Sequence, residues 1–465
     1  MDMDSLFDTE HLYRSYFKLS FPVVLGMVVT LIYNLADTYF IAQTGDTDLI
    51  AGVSLCAPVF TLLMAFGNIF GQGGSTLISR LLGQKNMEGC RRISSFCFYI
   101  AIATGIVLAL LMVLFGSAML QAMGADAETL SHAYRYYMVL AVCAPVIIVS
   151  FIHQNLVRCE GLATESMIGT ILGAVINIVL DPILISVFGL GAMGAAVATV
   201  IGYLCSVIYF LWLLKKKTHS LSIQISDCHV NKQELRQILG IGLSAALSNL
   251  MQSLTIMIMN TFLLPYGNDK IAAMGIVLKI NMIAQLMLVG FAFGGAPLFG
   301  YLYGAHQSRE LKKLIHFCLG FMCSVSLVLT LLIWIFASPL MQVFVQDAAL
   351  ISTGVLMLRW QVVTTVFASI VLLLTILFQA AGKVIPAFLL SISRQGVIFV
   401  AAAIVCVNLF AYQGVLMAQA IADVLSAGLA LGLLIVCNPM RMEAAETPLA
   451  KLDPKLDSSL NSSVI

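Results

Sequence analysis

"MIGTILGAVINIVLDPILISVFGLGAMGAAVATVIG", residues 167–202, carries a single ionisable side chain, Asp181. A helix crossing a bilayer needs about 20 predominantly apolar residues, and an open sheet cannot satisfy its backbone in hydrocarbon. The stretch therefore reads as parts of two spans, 166–188 and 193–214, joined at "FGLGA". An amide at Asn177, an acid at Asp181 and Pro182 directly behind it sit inside the first.

The whole chain has the same character. Of 465 residues, 60% are hydrophobic and 10% charged, where a soluble domain carries roughly a quarter charged. Further apolar runs fall at 16–43, 50–80, 93–115, 134–157, 237–264, 271–302, 314–337, 350–379, 384–406 and 412–437. The fold class is an all-α membrane protein with twelve transmembrane helices. Runs 50–80 and 271–302 exceed one bilayer, so their ends are expected to tilt, curve or extend into water.

Lys and Arg gather in cytoplasmic loops. The junctions "TGDTD" (44–48) and "GADAE" (124–128) have none, whereas the alternate junctions hold Arg80, Lys85, Arg91 and Arg92, then Arg158, then Lys215 to Lys217, Lys232 and Arg236, then Arg309, Lys312 and Lys313, then Lys383. Both termini are predicted to be cytoplasmic. The acidic start "MDMDSLFDTE" has no small-residue cleavage site after the first run, which argues for a retained helix in the cell membrane. A net charge of +1 gives a nucleic-acid partner no support. The eleven scattered cysteines lack CxxC or Cys/His spacing, so neither disulfide nor metal cluster is expected.

The two halves align on each other with a shift of 221 residues. "LISRLLGQKN" (77–86) falls on "LFGYLYGAHQ" (298–307), Gly73 and Gly74 on Gly294 and Gly295, and Gly161 on Gly382. Six helices per unit is an even number, so both copies enter the membrane in the same direction. A pseudo-two-fold axis along the membrane normal, with a cavity between two six-helix bundles, follows. The expected organisation is a cytoplasmic segment 1–15, a bundle 16–214, a cytoplasmic linker 215–236, a second bundle 237–437 and a disordered cytoplasmic tail 438–465. "GQGGS" (71–75) and "FGGAP" (293–297), lying inside spans, read as close helix packing rather than phosphate loops.

The repeat breaks at the acids. Asp37 falls on Ile258, Asn177 on Ile398 and Asp181 on Ala402; one residue drops out where "GAAVAT" (194–199) meets "GVLMAQ" (414–419), which places Thr199 on Gln419. Asp37, Asp181 and Thr199 each lie roughly 10 Å below the outer end of their helices at 1.5 Å per residue, and Asn177 shares a helical face with Asp181. Two carboxylates, an amide and a hydroxyl suit a small alkali cation or a shared proton; a hydrogen-bonded cluster fixing three helices is the structural alternative.

"YNLAD" (33–37), "NIVLDP" (177–182) and "GAAVAT" (194–199), with Pro22, resemble the multidrug and toxic compound extrusion (MATE) family over residues 12 to about 437. The resemblance implies a V-shaped secondary antiporter that exports organic cations, drugs or other amphipathic compounds against sodium ions or protons. It implies that Asp37, Asn177, Asp181 and Thr199 offer side-chain oxygens, and Ala195 its carbonyl, to that coupling cation, and that Pro22 is a bend point. No other cofactor or metal is implied, and a monomer in the lipid bilayer is expected. Tyr33, Gln154 and Asn155 are candidates to line the cavity. Lys279, Arg394 and Asp423 lie at projected depths that let Asp423 pair with either base; a static ion pair and a role in substrate binding or gating are both open.

A lipid-linked oligosaccharide flippase is the alternative, which requires several basic groups in the cavity; Lys279 and Arg394 are those the sequence offers. An intramembrane enzyme is disfavoured, because His153 and His316 have no partner nucleophile or acid in sequence reach.

Overall fold

The computed structural model describes residues 11–126, 129–218 and 220–439. Nine helices among them are long and apolar enough to span a membrane, and two bent pairs complete spans of their own. In chain order these are α1 (Leu12–Ala42), α2 (Thr47–Gly83), α3 (Met87–Ala122), α4 (Thr129–Val142 with Ala144–Cys159), α5 (Ala163–Val187), α6 (Gly191–Lys216), α7 (Lys232–Tyr266), α8 (Asn268–Gly304), α9 (Ser308–Ile335) and α10 (Ala348–Val362 with Thr365–Ala380). The last stretch, Val384–Val436, has 53 residues, more than twice what one bilayer takes. It breaks at Ala411, whose backbone (φ 51°, ψ −125°) has left the helical region, so it is two spans, α11 before the break and α12 after it. The described residues thus form twelve spans. Of the expected terminal segments 1–15 and 438–465, residues 1–10 and 440–465 lie outside the described residues. The first helix starts at Leu12 rather than 16 because Leu12, Ser15 and Tyr16 are already buried.

Breaks inside spans have local causes. Pro58 and Pro145 open the second pieces of α2 and α4, as expected of a residue without an amide donor. In α10 the bend of 43° has no proline. There the Val362 carbonyl accepts hydroxyl bonds from Thr330 (3.0 Å) and Thr365 (2.8 Å), so side chains replace the lost helical bond in a region without water.

The spans form two lobes, α1–α6 and α7–α12. They meet through α1 on α8 and α2 on α7, a reciprocal exchange that fits the repeat. Gly73 of α2 lies so close to α7 that a Cβ there would come 2.1 Å from the Ile238 carbonyl oxygen, and at the repeat-equivalent Gly294 of α8 a Cβ would meet the Ser20 backbone of α1 at 2.3 Å. Both glycines allow backbones to touch across the lobes, so the packing reading of the Gly-rich motifs holds. Rings of α1 add to this seam: Tyr13 packs on Phe317 and Phe17 on Phe321 of α9, while the Tyr16 hydroxyl donates to the Phe291 carbonyl at 3.1 Å.

These contacts sit at the end where α1 begins and α2 and α8 finish. One apolar core runs through both lobes there, and the far part of the second lobe has a separate core around Met274, Val277 and Phe399. The lobes are therefore joined at one end and parted by a cleft toward the other.

The stretch between the lobes is not a loose tether. Ser220 and Leu221 are buried. The Ser220 amide donates to Glu160 at 3.0 Å, the Ser95 hydroxyl to the Gln224 carbonyl at 2.5 Å and the Tyr99 hydroxyl to the Ile223 carbonyl at 3.0 Å. An Asn231–Glu234 capping box then starts α7.

Candidate cation site and central cavity

Gly173 of α5 and Gly202 of α6 face each other, each with room for no Cβ against the other's carbonyl, at 2.8 and 2.6 Å. This crossing brings the polar side chains of the two helices together one turn further on. The Asn177 amide donates to Thr199 Oγ1 at 3.2 Å and to Asp181 Oδ1 at 3.4 Å. Asn177, Asp181 and Thr199 are 2%, 0% and 3% exposed.

Asp37 arrives from α1 with its carboxyl beside that of Asp181, and Tyr33, one turn before it, lines the lobe cavity together with Thr199. Three buried oxygens of these side chains have no hydrogen-bond donor among the described residues: Asp37 Oδ1, Asn177 Oδ1 and Asp181 Oδ2. Among the described residues neither acid has an ion pair. Two adjacent carboxylates in hydrocarbon repel each other and lack solvation, and a proton or a small cation between them offsets both costs. An amide oxygen and a hydroxyl complete a hard oxygen donor set. Ala195 is fully buried one turn before Thr199.

Two connected cavities adjoin this cluster. One of about 160 Å³ lies within the first lobe and touches Asn177, Thr199, Tyr33 and Tyr203. It shares Thr30, Asn34, Met64 and Gln154 with a central cavity of about 420 Å³ between the lobes. The central cavity is within the size range of small-molecule sites. Its lining mixes methionine and phenylalanine with ten carboxamide side chains.

The MatE family model matches the chain twice, over residues 22–183 and 244–405, once per lobe. The chain belongs to the MatE family. It is 31% identical over 421 residues to the multidrug export protein MepA of Staphylococcus aureus strain MRSA252, covering 90% of this chain and 93% of that one. A crystal structure of MATE in the bent conformation superposes with TM-score 0.88 at 25% identity, covering 94% of this chain and 98% of the other. An outward-facing MATE multidrug resistance transporter gives 0.86 at 25% identity, covering 92% and 96%. The MatE chain is thus a multi-pass membrane protein of the two-lobed transporter fold, and these matches do not favour the flippase alternative.

The MatE fold brings Asp37, Asn177, Asp181 and Thr199 into one cluster, as their depths along the helices anticipate. Pro22, Gln154 and Asn155 line the central cavity and Tyr33 the lobe cavity. Gln154 is oriented by Thr170 at 2.8 Å. The three charged residues of the second lobe separate. Asp423 is buried, receives Arg394 Nε at 2.8 Å, the Thr364 hydroxyl at 2.9 Å and the Gln419 amide at 3.0 Å, while Lys279 is exposed and forms no ion pair among the described residues. Arg394 lines the central cavity, and Asp423 sits behind it. Lys279 therefore does not belong with the other two.

Sequence reasoning missed Arg158, read as a loop charge but placed in the wall of the central cavity. It also missed the amide pairs Asn68/Gln72 and Asn249/Gln252, whose four- and three-residue spacing on apolar helices is the signal that could have found them. His153 is a packing residue: its Nδ1 contacts the Val149 carbonyl at 2.8 Å and its ring meets Phe98 edge-on. His316 is exposed and contacts the Lys312 carbonyl at 2.8 Å.

Proposed function

We propose that this protein is a multidrug exporter of the cell membrane that expels amphipathic or cationic small molecules in exchange for sodium ions or protons. The carrying observation is the set of three unpartnered buried oxygens on Asp37, Asn177 and Asp181, with neither acid in an ion pair among the described residues. Thr199 and the Ala195 carbonyl complete the cation's shell.

Coupling requires that the cation favour one conformation over the other. The drug occupies the central cavity and reaches the lobe cavity past Thr30, Asn34 and Gln154. Cation binding holds Asp37 against Asp181 and draws α1, with Tyr33 and Asn34, onto α5 and α6. That movement shrinks the lobe cavity and displaces the drug. Pro22 lies inside α1; lacking an amide, it leaves one helical bond unmade and provides the bend.

The chain works as a monomer with both termini in the cytoplasm, on the side where the lobes meet, so the cleft described above is the outward-open state. Lys and Arg at the ends of α2 and α6 support this orientation. The decisive experiment is dye efflux from proteoliposomes under imposed sodium or pH gradients, with wild type, Asp37→Asn and Asp181→Asn. Gradient-driven export is expected to be lost in both variants; wild-type rates in both would sink the coupling assignment.

A further inference from the structure

The central cavity has the opposite polarity from the cation site. None of its lining residues is an Asp or Glu, whereas Arg158 of the first lobe and Arg394 of the second both reach it. Negative charge in the first lobe lies behind Asn177 and Thr199, which face the lobe cavity in its place.

Arg394 is set up as a receptor rather than spent as a partner. Asp423 engages its Nε, and Thr364 and Gln419 hold Asp423 in turn. The helix around Arg394 opens into a wider turn over Ser393–Val397, where Gly396 has non-helical angles (φ −119°, ψ −105°). Its terminal guanidinium nitrogens have no protein acceptor among the described residues. Arg158 has a buried Nε without an acceptor and no ion pair among the described residues. Charged groups in hydrocarbon persist where something pays for them or uses them, and guanidinium groups match the planar geometry of a carboxylate. Lys279 adds a third positive charge at the approach: it is exposed on α8, three and seven residues before the cavity-lining Met282 and Leu286, hence on their face.

We propose that the central cavity selects amphipathic compounds bearing a carboxylate, received by Arg394 and Arg158, with the apolar part of the molecule against the methionine and phenylalanine walls. The inference rests on the exporter reading and narrows its substrate class from amphipathic or cationic compounds in general to amphipathic acids and zwitterions. A cation with no acidic group gains nothing from either arginine.

Rhodamine 19, a zwitterion, and rhodamine 6G, its cationic ethyl ester, differ in that one group. Their binding to the purified protein in nanodiscs, read by fluorescence anisotropy and corrected for partition into empty discs, tests the idea directly. Wild type is expected to bind rhodamine 19 at least ~10-fold more tightly, the scale of one charge-assisted contact. The double variant Arg394→Gln/Asp423→Asn, which strands no carboxylate, and the single variant Arg158→Gln are each expected to bring the ratio to within about threefold, with rhodamine 6G affinity little changed. Equal binding of both dyes by wild type, or a preference for the ester, overturns the proposal even if no variant folds; so does a full preference surviving in both folded variants. Gradient-driven export of either dye is scored separately: its absence alongside an intact acid preference sinks the exporter reading and leaves this one standing.

Discussion

Asp181→Asn isolates the charge at the centre of the proposed cation site while keeping its shape. The side chain is 0% exposed, shares Oδ1 with Asn177 and leaves Oδ2 without a donor. Removing one charged partner from a desolvated contact costs about 1.5–3 kcal/mol, which is roughly 10- to 100-fold in cation affinity. Ligand linkage converts this into stability. At a cation concentration 100 times the dissociation constant, wild type gains about 2.7 kcal/mol, while a variant weakened 100-fold gains about 0.4 kcal/mol. The assay is thermal unfolding in detergent, with sodium titrated at fixed alkaline pH and protons titrated without sodium. Whichever cation raises the wild-type midpoint should have little effect on the variant. In cation-free buffer the variant should unfold later than wild type, because the amide removes one of two facing carboxylates. An identical cation response in both proteins would refute the reasoning, since it would place the binding oxygens elsewhere.

Asp423→Ala should destabilise the protein by about 3 kcal/mol by stranding Arg394 beside the cavity, whereas Arg394→Gln/Asp423→Asn should cost less than half of that; thermal unfolding of the three proteins decides it. Thr199→Val removes the acceptor held by Asn177 at 3.2 Å and should cost about 1 kcal/mol by the same assay, with weaker cation protection. Gly294→Val places atoms where a Cβ already lies 2.3 Å from Ser20 Cα, so spin-label distances between the Leu12 end of α1 and the Gly304 end of α8 should lengthen; unchanged distances would contradict the close-packed seam. His153→Phe fills the same space against Phe98 and should leave gradient-driven export within about twofold, because the ring has no acid or nucleophile partner.

The cation cluster was legible because its parts obey one-dimensional rules. Asn177 and Asp181 are four apart on a helix, and helix rise gives the depth of Asp37 and Thr199 before any coordinate is known. Asp423 was legible only as a depth, and depth does not choose a partner. Arg394 and Lys279 both fit; Arg394, on the widened turn at Ser393–Val397, pairs with Asp423, while Lys279 is exposed on α8 and has no ion pair among the described residues. Arg158 was misplaced for the converse reason. It ends an apolar run, where a charge ordinarily meets water, yet its helix ends beside the interlobe cavity.

The sequence by itself determined the solvent, the twelve spans, the repeat and the acids found in one half alone, because hydropathy, spacing and helix rise are properties of the chain read in order. Only the tertiary structure decided which helices touch across the lobes, that the cleft opens at the end away from the seam, and that its lining carries arginines while the carboxylates stay behind it. Those depend on helix rotation and on close approaches at residues such as Gly73, Gly173 and Gly294, which local composition permits without dictating.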